Sequence, residues 1–511
     1  MSSILTNNSA MVALQTLKSV NANLQQTQSE ISTGKSVASA KDNAAVWAIS
    51  KVMESDVKGF KGIQESLSLG ESTVATARNA SETVTDLLTD IKGKIVAAQE
   101  ENVDRDKIQI DIEALRDTIK SVIGAAQFNG LNLVQGTDDV NILSSLDRSG
   151  SGTVTASNIT VARQDLTTKA GTFGSGATLA GNITSSDTSI DSTNAANSLD
   201  LTFAGTATDN LSVTINGTTV TQAFDTDAAT TMDALRGQIN QLGLTGITAA
   251  GTGDTIELQN TNAFQQLEVG WNTGGTNTMA VVNNGNTDQN ATAAATPGTA
   301  TLSYRAEEVV LSTVAKVNEG DSYRISVNGN DYNYVAGKGE NMEDVARGLK
   351  TAIDGGNETG VATSVMKDDT TGAWKVLVDY DGSDTGAGAT MTLADTGQAG
   401  GTASGGLFGL DNIDVTSNAG ADAALGNIET LIQNSIDASA AFGSAEGRID
   451  TQSSFVSKMI DSLKSGIGTL VDADLEETSA RLQALQVQQQ LATQSLSIAN
   501  QAPQNILSLF R

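Results

Sequence analysis

Very few side chains in this sequence could carry out acid–base, nucleophilic or metal chemistry. Among its 511 residues there is no histidine and no cysteine. This absence removes histidine bases, Ser-His-Asp triads, thiolate nucleophiles and every zinc site that contains cysteine. The sequence therefore excludes most hydrolytic mechanisms, and no thiol ties the chain to a particular redox compartment.

Two short motifs have the residue types of ligand sites, and both lack an essential part. Gly34-Lys35-Ser36 matches the end of a phosphate-binding loop, but Ser29 replaces the glycine that such a loop needs five positions earlier. The run from Asp379 to Asp384 offers hard oxygen ligands for calcium, yet it lacks the spacing and terminal glutamate of an EF-hand. We expect a solvated turn there, and we predict no cofactor and no metal.

Four neighbouring acids and two tryptophans also have explanations that need no ligand. The acids are Asp472, Asp474, Glu476 and Glu477. They precede or begin a predicted helix, where negative charge complements the helix dipole. Trp47 and Trp271 are large enough for a sugar platform, but isolated tryptophans usually make packing contacts. We predict that the chain is not an enzyme.

The charge balance and the start of the chain limit the possible partners. Acidic residues outnumber basic ones 59 to 30, giving a net charge of −29 that repels nucleic acid and anionic lipid. The first residues, MSSILTNNSAMVALQTL, lack the basic and apolar regions of a secretory signal peptide. No run approaches the roughly 20 apolar residues that span a membrane. We expect export, if it occurs, to use no cleaved signal.

Two helices are predicted in the N-terminal third. Apolar or small residues recur at three- and four-residue spacing from Ile49 to Ile95, which predicts one helix over residues 44–99, about 80 Å long. Such a rod needs helical neighbours to cover its apolar seam. Asp104 is a suitable N-cap for a second helix that ends near Gly124.

Heptad patterns occur at both ends of the sequence. Near the C-terminus the apolar positions are Leu482, Leu485, Ala492, Leu496, Ala499 and Ile506, with Gln489 as a polar member. A seven-residue step also links Leu17, Leu24 and Ile31. Each stripe alone fits an ordinary helical-bundle core, but their placement at opposite ends favours a coiled coil between the two termini.

Residues 171–417 are rich in small and polar residues and contain an internal repeat. Ile215-Asn216-Gly217 and Val327-Asn328-Gly329 each predict a type I′ hairpin turn. Each turn is followed at identical offsets by a helical stripe, formed by Met232, Leu235 and Ile239 or by Met342, Val345 and Leu349. The strands TIELQN and KVLVDY come next. Two ββα-β modules are therefore predicted, at about 197–270 and 301–398.

The two ends of the chain resemble bacterial flagellin. EISTGKSVASAKDNAAVWAIS is similar to the N-terminal signature of that family, and Gln127-Phe128-Asn129-Gly130 matches its motif after the second helix. QQQLATQSLSIANQAPQNILSLFR is similar to its closing segment. The resemblance covers residues 1–170 and 418–511, and it encloses an unrelated insert rich in glycine, serine and threonine.

The resemblance implies a multidomain α+β subunit that polymerises into the extracellular flagellar filament used for swimming. Residues 1–45 and 467–511 would pair as an inner coiled coil, and 46–170 with 418–466 would form a helical rod with a β-hairpin. Residues 171–417 would lie on the filament surface. The predicted self-assembly residues are Leu17, Leu24, Ile31, Leu482, Leu485, Leu496, Ile506 and Phe510. Isolated terminal helices bury too little to offset their ordering entropy, so we expect assembly to be coupled to folding.

The resemblance also implies partners, and departures from the family pattern limit one of them. Implied partners are other copies of the chain, the flagellar type III export apparatus, an export chaperone, and hook-junction and cap proteins. Glu30 and Ser36 stand where the family often has arginines, so salt bridges of those arginines do not carry over. Residues 91–96 lack the Arg-Glu-Leu-Ala-type motif sensed by the animal innate flagellin receptor. We expect weak or no recognition by that receptor.

Three alternatives fit parts of the sequence. A hook-filament junction protein would share the terminal helices but assemble only as a short ring. An insert acting as a carboxylate-only glycosidase would need no histidine. An adhesin would use the same insert to bind a surface.

Overall fold

The computed structural model of the chain describes residues 7–148, 153–186, 189–191, 197–205, 210–274, 277–283, 297–381 and 390–509. The described residues form two compact units. The first draws on residues 1–72, 140–161 and 444–511, and the second on residues 73–139 and 162–443. A search of the described helices finds none with the length and apolar character needed to cross a membrane.

Helices dominate both ends of the chain, and β-strands dominate the middle. The helices are α1 (Asn8–Thr33), α2 (Ala44–Ala98), α3 (Arg105–Ala125), α4 (Ala228–Gln241), α5 (Met342–Asp354), α6 (Asn418–Val471) and α7 (Leu475–Leu509). The strands of the N-terminal part are β1 (Gln127–Phe128), β2 (Leu131–Asn132), β3 (Val140–Arg148), β4 (Val154–Val161), β5 (Ile183–Ser186) and β6 (Ser189–Asp191).

Together with β5 and β6, the remaining strands belong to the insert. They are β7 (Asn197–Ala204), β8 (Asn210–Ile215), β9 (Thr218–Ala223), β10 (Ile247–Ala250), β11 (Thr255–Asn260), β12 (Leu267–Asn272), β13 (Thr278–Asn283), β14 (Gly298–Leu302), β15 (Glu307–Leu311), β16 (Ser322–Val327), β17 (Asn330–Val335), β18 (Val361–Lys367), β19 (Trp374–Tyr380) and β20 (Thr390–Gln398). The predicted multidomain α+β class, with helical ends and a β-rich insert, is confirmed.

The long helix α2 forms where the three-four spacing of apolar residues predicts it, to within one residue of the predicted end. In the second unit its apolar stripe is buried and packs against α6. The fully buried members include Val74, Val84, Leu88, Ile91 and Ile95. Polar contacts fix the alignment of the two helices, because Ser435 Oγ donates to Ser81 O at 3.0 Å and accepts from Thr85 Oγ1 at 3.0 Å.

Helix α3 begins at the predicted cap. The Asp104 carboxylate accepts a hydrogen bond from the Lys107 backbone N–H at 3.3 Å. The pKa of Asp104 is lowered, chiefly by the hydrogen bond from the Lys107 ammonium and further by this backbone hydrogen bond, because both favour the charged form. The end of α3 is tied to the following turn by Asn132 Nδ2, which donates to Ile123 O at 2.8 Å.

The insert contains two modules that share one run of elements, from β7 to β12 in the first and from β15 to β20 in the second. The first module (β7–β14 with α4) has two antiparallel sheets, in the orders β10-β11-β7-β13 and β14-β12-β8-β9. The second module (β5, β6 and β15–β20 with α5) has sheets in the orders β18-β19-β15-β5 and β17-β16-β20-β6. Within each, a hairpin is followed by a helix and then by the predicted strand. The structure adds one strand between helix and predicted strand, β10 or β18, which is short or lacks clear alternation of burial.

The repeated Asn-Gly pairs form the hairpin turns because both residues adopt positive φ. Asn216 and Gly217 have φ of 49° and 82°, and Asn328 and Gly329 have φ of 52° and 81°. Glycine adopts this region without strain and asparagine tolerates it. Each turn aligns its strands so that alternate side chains enter the module core, where Trp271 is only 2% exposed.

Candidate self-assembly surface

Helices α1 and α7 pair through a heptad seam in the first unit. The buried positions of α1 are seven residues apart, at Ala13, Val20 and Thr27, and those of α7 are Thr478, Leu485 and Ala492. Polar contacts define the direction of pairing. Asn7 Nδ2 donates to Ala499 O at 2.8 Å, and Gln489 Nε2 donates to Asn21 Oδ1 at 2.7 Å. Since the lower numbers of one helix meet the higher numbers of the other, the pair is antiparallel.

Most predicted interface residues lie on this seam. Leu485 is buried, and Leu17, Leu24, Ile31, Leu482 and Leu496 are half-buried. Ile506 lies within α7, but its side chain is outside the described part, and Phe510 lies outside the described residues altogether. Their role in self-assembly stays a prediction, because one isolated chain contains no neighbouring subunit.

The most buried residues of α1 were missed by sequence reasoning. Ala13, Val20 and Thr27 are buried although two of them are small or polar. The signal was present as a second seven-residue step beside the leucine step. Small side chains allow close helix approach but bury little apolar surface, so the pair gains a well-defined seam and only modest stability.

Large apolar side chains of the same helix pair are exposed, and some of them lie directly beside the seam. On α1, Met11 and Val12 are more than half exposed, and on α7 the exposed set includes Val487, Leu491 and Ile498. A groove of about 640 Å³ lies among them, lined in part by Val12 and Leu491. Contiguous exposed apolar surface of this kind marks an interaction site on a soluble protein.

A set of backbone contacts joins the turn after α1 to the break between α6 and α7. Ser36 N donates to Val471 O at 2.7 Å, and Ala473 N donates to Gly34 O at 3.0 Å. Gly34 has φ of 67°, a conformation that ends α1 without strain. Among the four acids near the start of α7, Asp474 accepts from the backbone N–H groups of Glu476 and Glu477, at 3.0 and 3.2 Å.

The signature segment between α1 and α2 forms a tight turn around one carboxylate. Asp42 Oδ2 accepts from the backbone N–H groups of Ala38 and Ser39 at 3.2 and 2.9 Å. These hydrogen bonds, led by that of Ser39, lower the pKa of Asp42. Asn43 then caps α2 by accepting from Val46 N at 3.2 Å. Residues in the motif are thus explained by helix entry, without a ligand.

The β3–β4 hairpin packs against α2 at two glycines. Gly59 and Gly70 are eleven residues apart, about three helical turns, so they lie on one face. A Cβ atom at Gly70 would lie 2.6 Å from Ile142 Cδ1, and one at Gly59 would lie 2.9 Å from Leu146 Cδ1. On the α6 side, Gln452 Nε2 donates to Ser144 O at 2.9 Å. The hairpin is therefore held between the two long helices of the first unit.

One carboxylate of the acidic run in the insert belongs to a buried ion pair. Asp379 is bound by Arg305 through two hydrogen bonds, at 2.8 and 2.6 Å. Residues 382–384 of the same run lie outside the described residues. In the described part of the chain, no group of three or more acidic side chains has the geometry to hold a metal ion.

Comparison with known proteins agrees with the helical ends. The model for the bacterial flagellin N-terminal helical region matches residues 4–139, and the model for the C-terminal helical region matches residues 425–510. Flagellin A of Rhizobium meliloti is 32% identical over 518 residues, covering all of both chains. Flagellin D of Rhizobium meliloti strain 1021 is 33% identical over 523 residues, also with full coverage of both.

Solved structures match more distantly. The flagellar hook-associated protein-3 of Legionella pneumophila is 9% identical, with a TM-score of 0.32, over 82% of this chain and 98% of its own. A Xanthomonas campestris FlgL structure is 13% identical, with a TM-score of 0.29, over 81% of this chain and 98% of its own. Because full-length identity is with flagellins, the chain belongs to the bacterial flagellin family and is a structural subunit of the flagellar filament.

Proposed function

We propose that the chain assembles into the filament through the exposed apolar side chains of the α1/α7 pair. The seam between the helices instead holds the two helices of one subunit together. The observation that supports this is the exposure of Met11, Val12, Leu491 and Ile498, of which Val12 and Leu491 line a groove beside the seam. Covering such side chains with another copy stabilises the polymer by about 1.5–3 kcal/mol for each large residue that becomes buried.

The half-buried leucines of the seam have a second role in this proposal. Leu17, Leu24 and Leu482 are only partly covered in the single chain. Neighbouring subunits would complete their burial, so ordering of the pair and addition to the filament would stabilise each other. The proposed inner domain is residues 1–45 with 467–511, and the proposed rod is 46–170 with 418–466. Residues 171–417 would face the medium.

The same weakness of the isolated pair suits export. Helices that are ordered only on assembly can pass through a narrow channel unfolded, so we propose the flagellar type III apparatus and an export chaperone as partners before assembly. Hook-junction and cap proteins would contact the ends of the filament, which lies outside the cell. We also propose that the insert has no catalytic role.

Weak recognition by the animal innate flagellin receptor is part of the proposal. In the relevant stretch, Ile91 and Ile95 are buried, Lys92 pairs with Glu429, and Lys94 pairs with Asp111 at 2.5 Å. An exposed arginine is therefore lacking where the sensed flagellins carry one. We expect little activation when purified monomer is titrated on receptor-expressing reporter cells. A potent response would contradict this part.

Three aspartate substitutions test the assembly surface. Leu491→Asp should leave the helix pair formed but prevent filaments, because Leu491 is 58% exposed beside the seam. Leu485→Asp should prevent both pairing and filaments, because Leu485 is 7% exposed within the seam. Val314→Asp is the matched control, since Val314 is 88% exposed in the insert and should tolerate the charge.

Sedimentation and electron microscopy of each variant under polymerising conditions give the readout. The two modules should fold normally in all three variants, which circular dichroism and limited proteolysis can check. Long filaments from Leu491→Asp would refute the proposed surface, and long filaments from Leu485→Asp would refute the need for the seam. Short rings from the unmodified chain would favour the junction alternative.

A further inference from the structure

A cavity of about 200 Å³ lies in the second unit, where the second module meets α6. Carboxylates from three separate elements line it, and a fourth comes from the connection after β4. Glu340 belongs to the loop between β17 and α5, Asp344 to the first turn of α5, and Asp437 to α6. The connection after β4 closes the cavity with Arg163 and Asp165. The site therefore joins the insert to the helical part of the chain.

The cationic groups at this cavity do not neutralise its acids. Lys338 lines the cavity but pairs with Asp139 at 2.5 Å. Arg163 contributes a guanidinium, and its buried Nε atom has no hydrogen-bond partner. Arg347, which lies near Asp344, is bound to Glu343 at 2.8 Å. Lys338 and Arg347 are therefore engaged by other carboxylates, and Arg163 is the cation of the lining that keeps an unsatisfied donor.

Neutral or fixed donors hold two of the carboxylates in place. The buried Tyr334 hydroxyl donates to Glu340 Oε2 at 2.9 Å. The Asn341 backbone N–H donates to Asp344 Oδ2 at 2.8 Å, which completes a capping box at the start of α5. These contacts fix the carboxylates close to one another, so their charges interact and cannot move apart without opening the junction.

Burial raises the pKa of Glu340 to about 7, against the lowering effect of hydrogen bonds from Gly337 and Tyr334. Burial also raises the pKa of Asp344, and the charges of Glu343 and Asp437 act in the same direction. Each carboxylate disfavours ionisation of its neighbour. Glu340 therefore changes charge close to neutral pH, far above the range in which exposed glutamates titrate.

We propose that this junction is a proton-operated latch, which holds the second module on α6 while Glu340 carries a proton and loosens when Glu340 is ionised beside the other carboxylates. The loosening is local. Asn434 Nδ2 donates to Gly406 O at 2.8 Å, and Lys350 Nζ donates to Asn427 Oδ1 at 2.9 Å, and neither contact involves a carboxylate of the cluster. The insert would thus stay attached while its coupling to the helical part weakens.

The expected size follows from linkage. Glu340 has a pKa of about 7 in the closed junction and an ordinary value of 4.5 in solvent. The open form binds fewer protons between these values, so opening becomes more favourable as the pH rises. From pH 6 to pH 8 the opening equilibrium should increase about tenfold, and the change should level off above the closed-state pKa.

Hydrogen–deuterium exchange of the full-length chain measures this opening directly. After correction for intrinsic exchange rates, protection of peptides covering residues 337–353 should fall about tenfold between pH 6 and pH 8. Glu340→Gln keeps the shape and an acceptor for the Tyr334 hydroxyl but cannot ionise, so its protection should stay constant. The matched control is Glu319→Gln, an exposed acid of the same module, which should behave as the unmodified chain.

A second variant keeps the test decisive if Glu340→Gln folds poorly. Asp437 is an exposed residue of α6, so Asp437→Asn should fold. Because this change removes one negative charge beside Asp344, it should show a smaller fall in protection. The proposal is overturned if the unmodified chain shows no fall over residues 337–353, or if Glu340→Gln shows the same fall. An Asp437→Asn profile identical to that of the unmodified chain would also overturn it, because α6 would then take no part.

Discussion

The contact between Gly70 and the hairpin predicts a stability difference between neighbouring glycines of one helix. Gly59, Gly62 and Gly70 all lie in α2, and alanine should improve the helix propensity at each by about 1 kcal/mol. Their surroundings differ. A Cβ atom at Gly62 would meet nothing within 4 Å, whereas one at Gly70 would lie 2.6 and 2.7 Å from Ile142 Cδ1 and Cγ2.

The sign of each effect follows from which atoms can move. At Gly59 the close atom is the end of the Leu146 side chain, which can rotate away, so Gly59→Ala should be nearly neutral. At Gly70 two branches of Ile142 are too close, and no single rotation relieves both. Overpacking of this kind costs about 1–3 kcal/mol. After the gain in propensity, Gly70→Ala should be about 1 kcal/mol less stable and Gly62→Ala about 1 kcal/mol more stable.

Hydrogen exchange of α2 gives a local measure, which is preferable because two units need not unfold together. The two variants should differ by about 2 kcal/mol, or roughly 30-fold in protection of residues 59–72. Ile142→Ala combined with Gly70→Ala should lose less stability than the two single changes added together. Equal protection in Gly62→Ala and Gly70→Ala, or strict additivity of the pair, would refute the proposed contact.

Three further changes test contacts in the second module. Lys350→Met should cost about 3 kcal/mol, because it leaves the buried Asp354 carboxylate without its cation, and adding Asp354→Asn should recover part of that loss in chemical unfolding. Asn328→Ala should lower the thermal unfolding midpoint by an amount equivalent to about 1–2 kcal/mol, because asparagine tolerates the φ of 52° better than alanine does. Asn328→Gly should not lower the midpoint, because glycine adopts this φ without strain. The pKa of Asp368 is lowered to about 2, chiefly by the Thr371 backbone N–H, so the ionised carboxylate stabilises the fold above pH 3.8 and this stability is lost as the pH falls through 2. Asp368→Asn should make the free energy of unfolding less dependent on pH between those values.

Local patterns in the sequence predict the local structure well. The three-four spacing of apolar residues places α2 to within one residue of its observed end, and Asp104 caps α3 as its position before the apolar stripe indicates. The Asn-Gly pairs predict both hairpins because backbone conformation there depends on two adjacent residues. In these cases the information and its effect lie within a few positions of each other.

Features that depend on distant residues could not be predicted in this way. Thr27 is buried because α7 covers it, and nothing in its own polarity indicates that. The close approach of Gly70 to Ile142 and the meeting of Glu340 with Asp437 each join segments that the sequence leaves unaligned. Matching heptads predict the pairing of the two termini, but the register set by Asn21 and Gln489 depends on contacts between distant segments.

The antiparallel seam also sets a waiting time during synthesis. Ser36 and Val471, which meet near the end of α1 and the start of α7, are 435 positions apart. A ribosome that adds about 5–20 residues per second needs roughly 20–90 s to pass from one to the other. Throughout that interval α7, the helix that pairs with α1, has not yet been synthesised. A stripe that includes Ala13 and Thr27 makes fewer non-specific apolar contacts than a continuous leucine stripe would. The residues that limit the stability of the finished seam therefore also protect the nascent chain from aggregation.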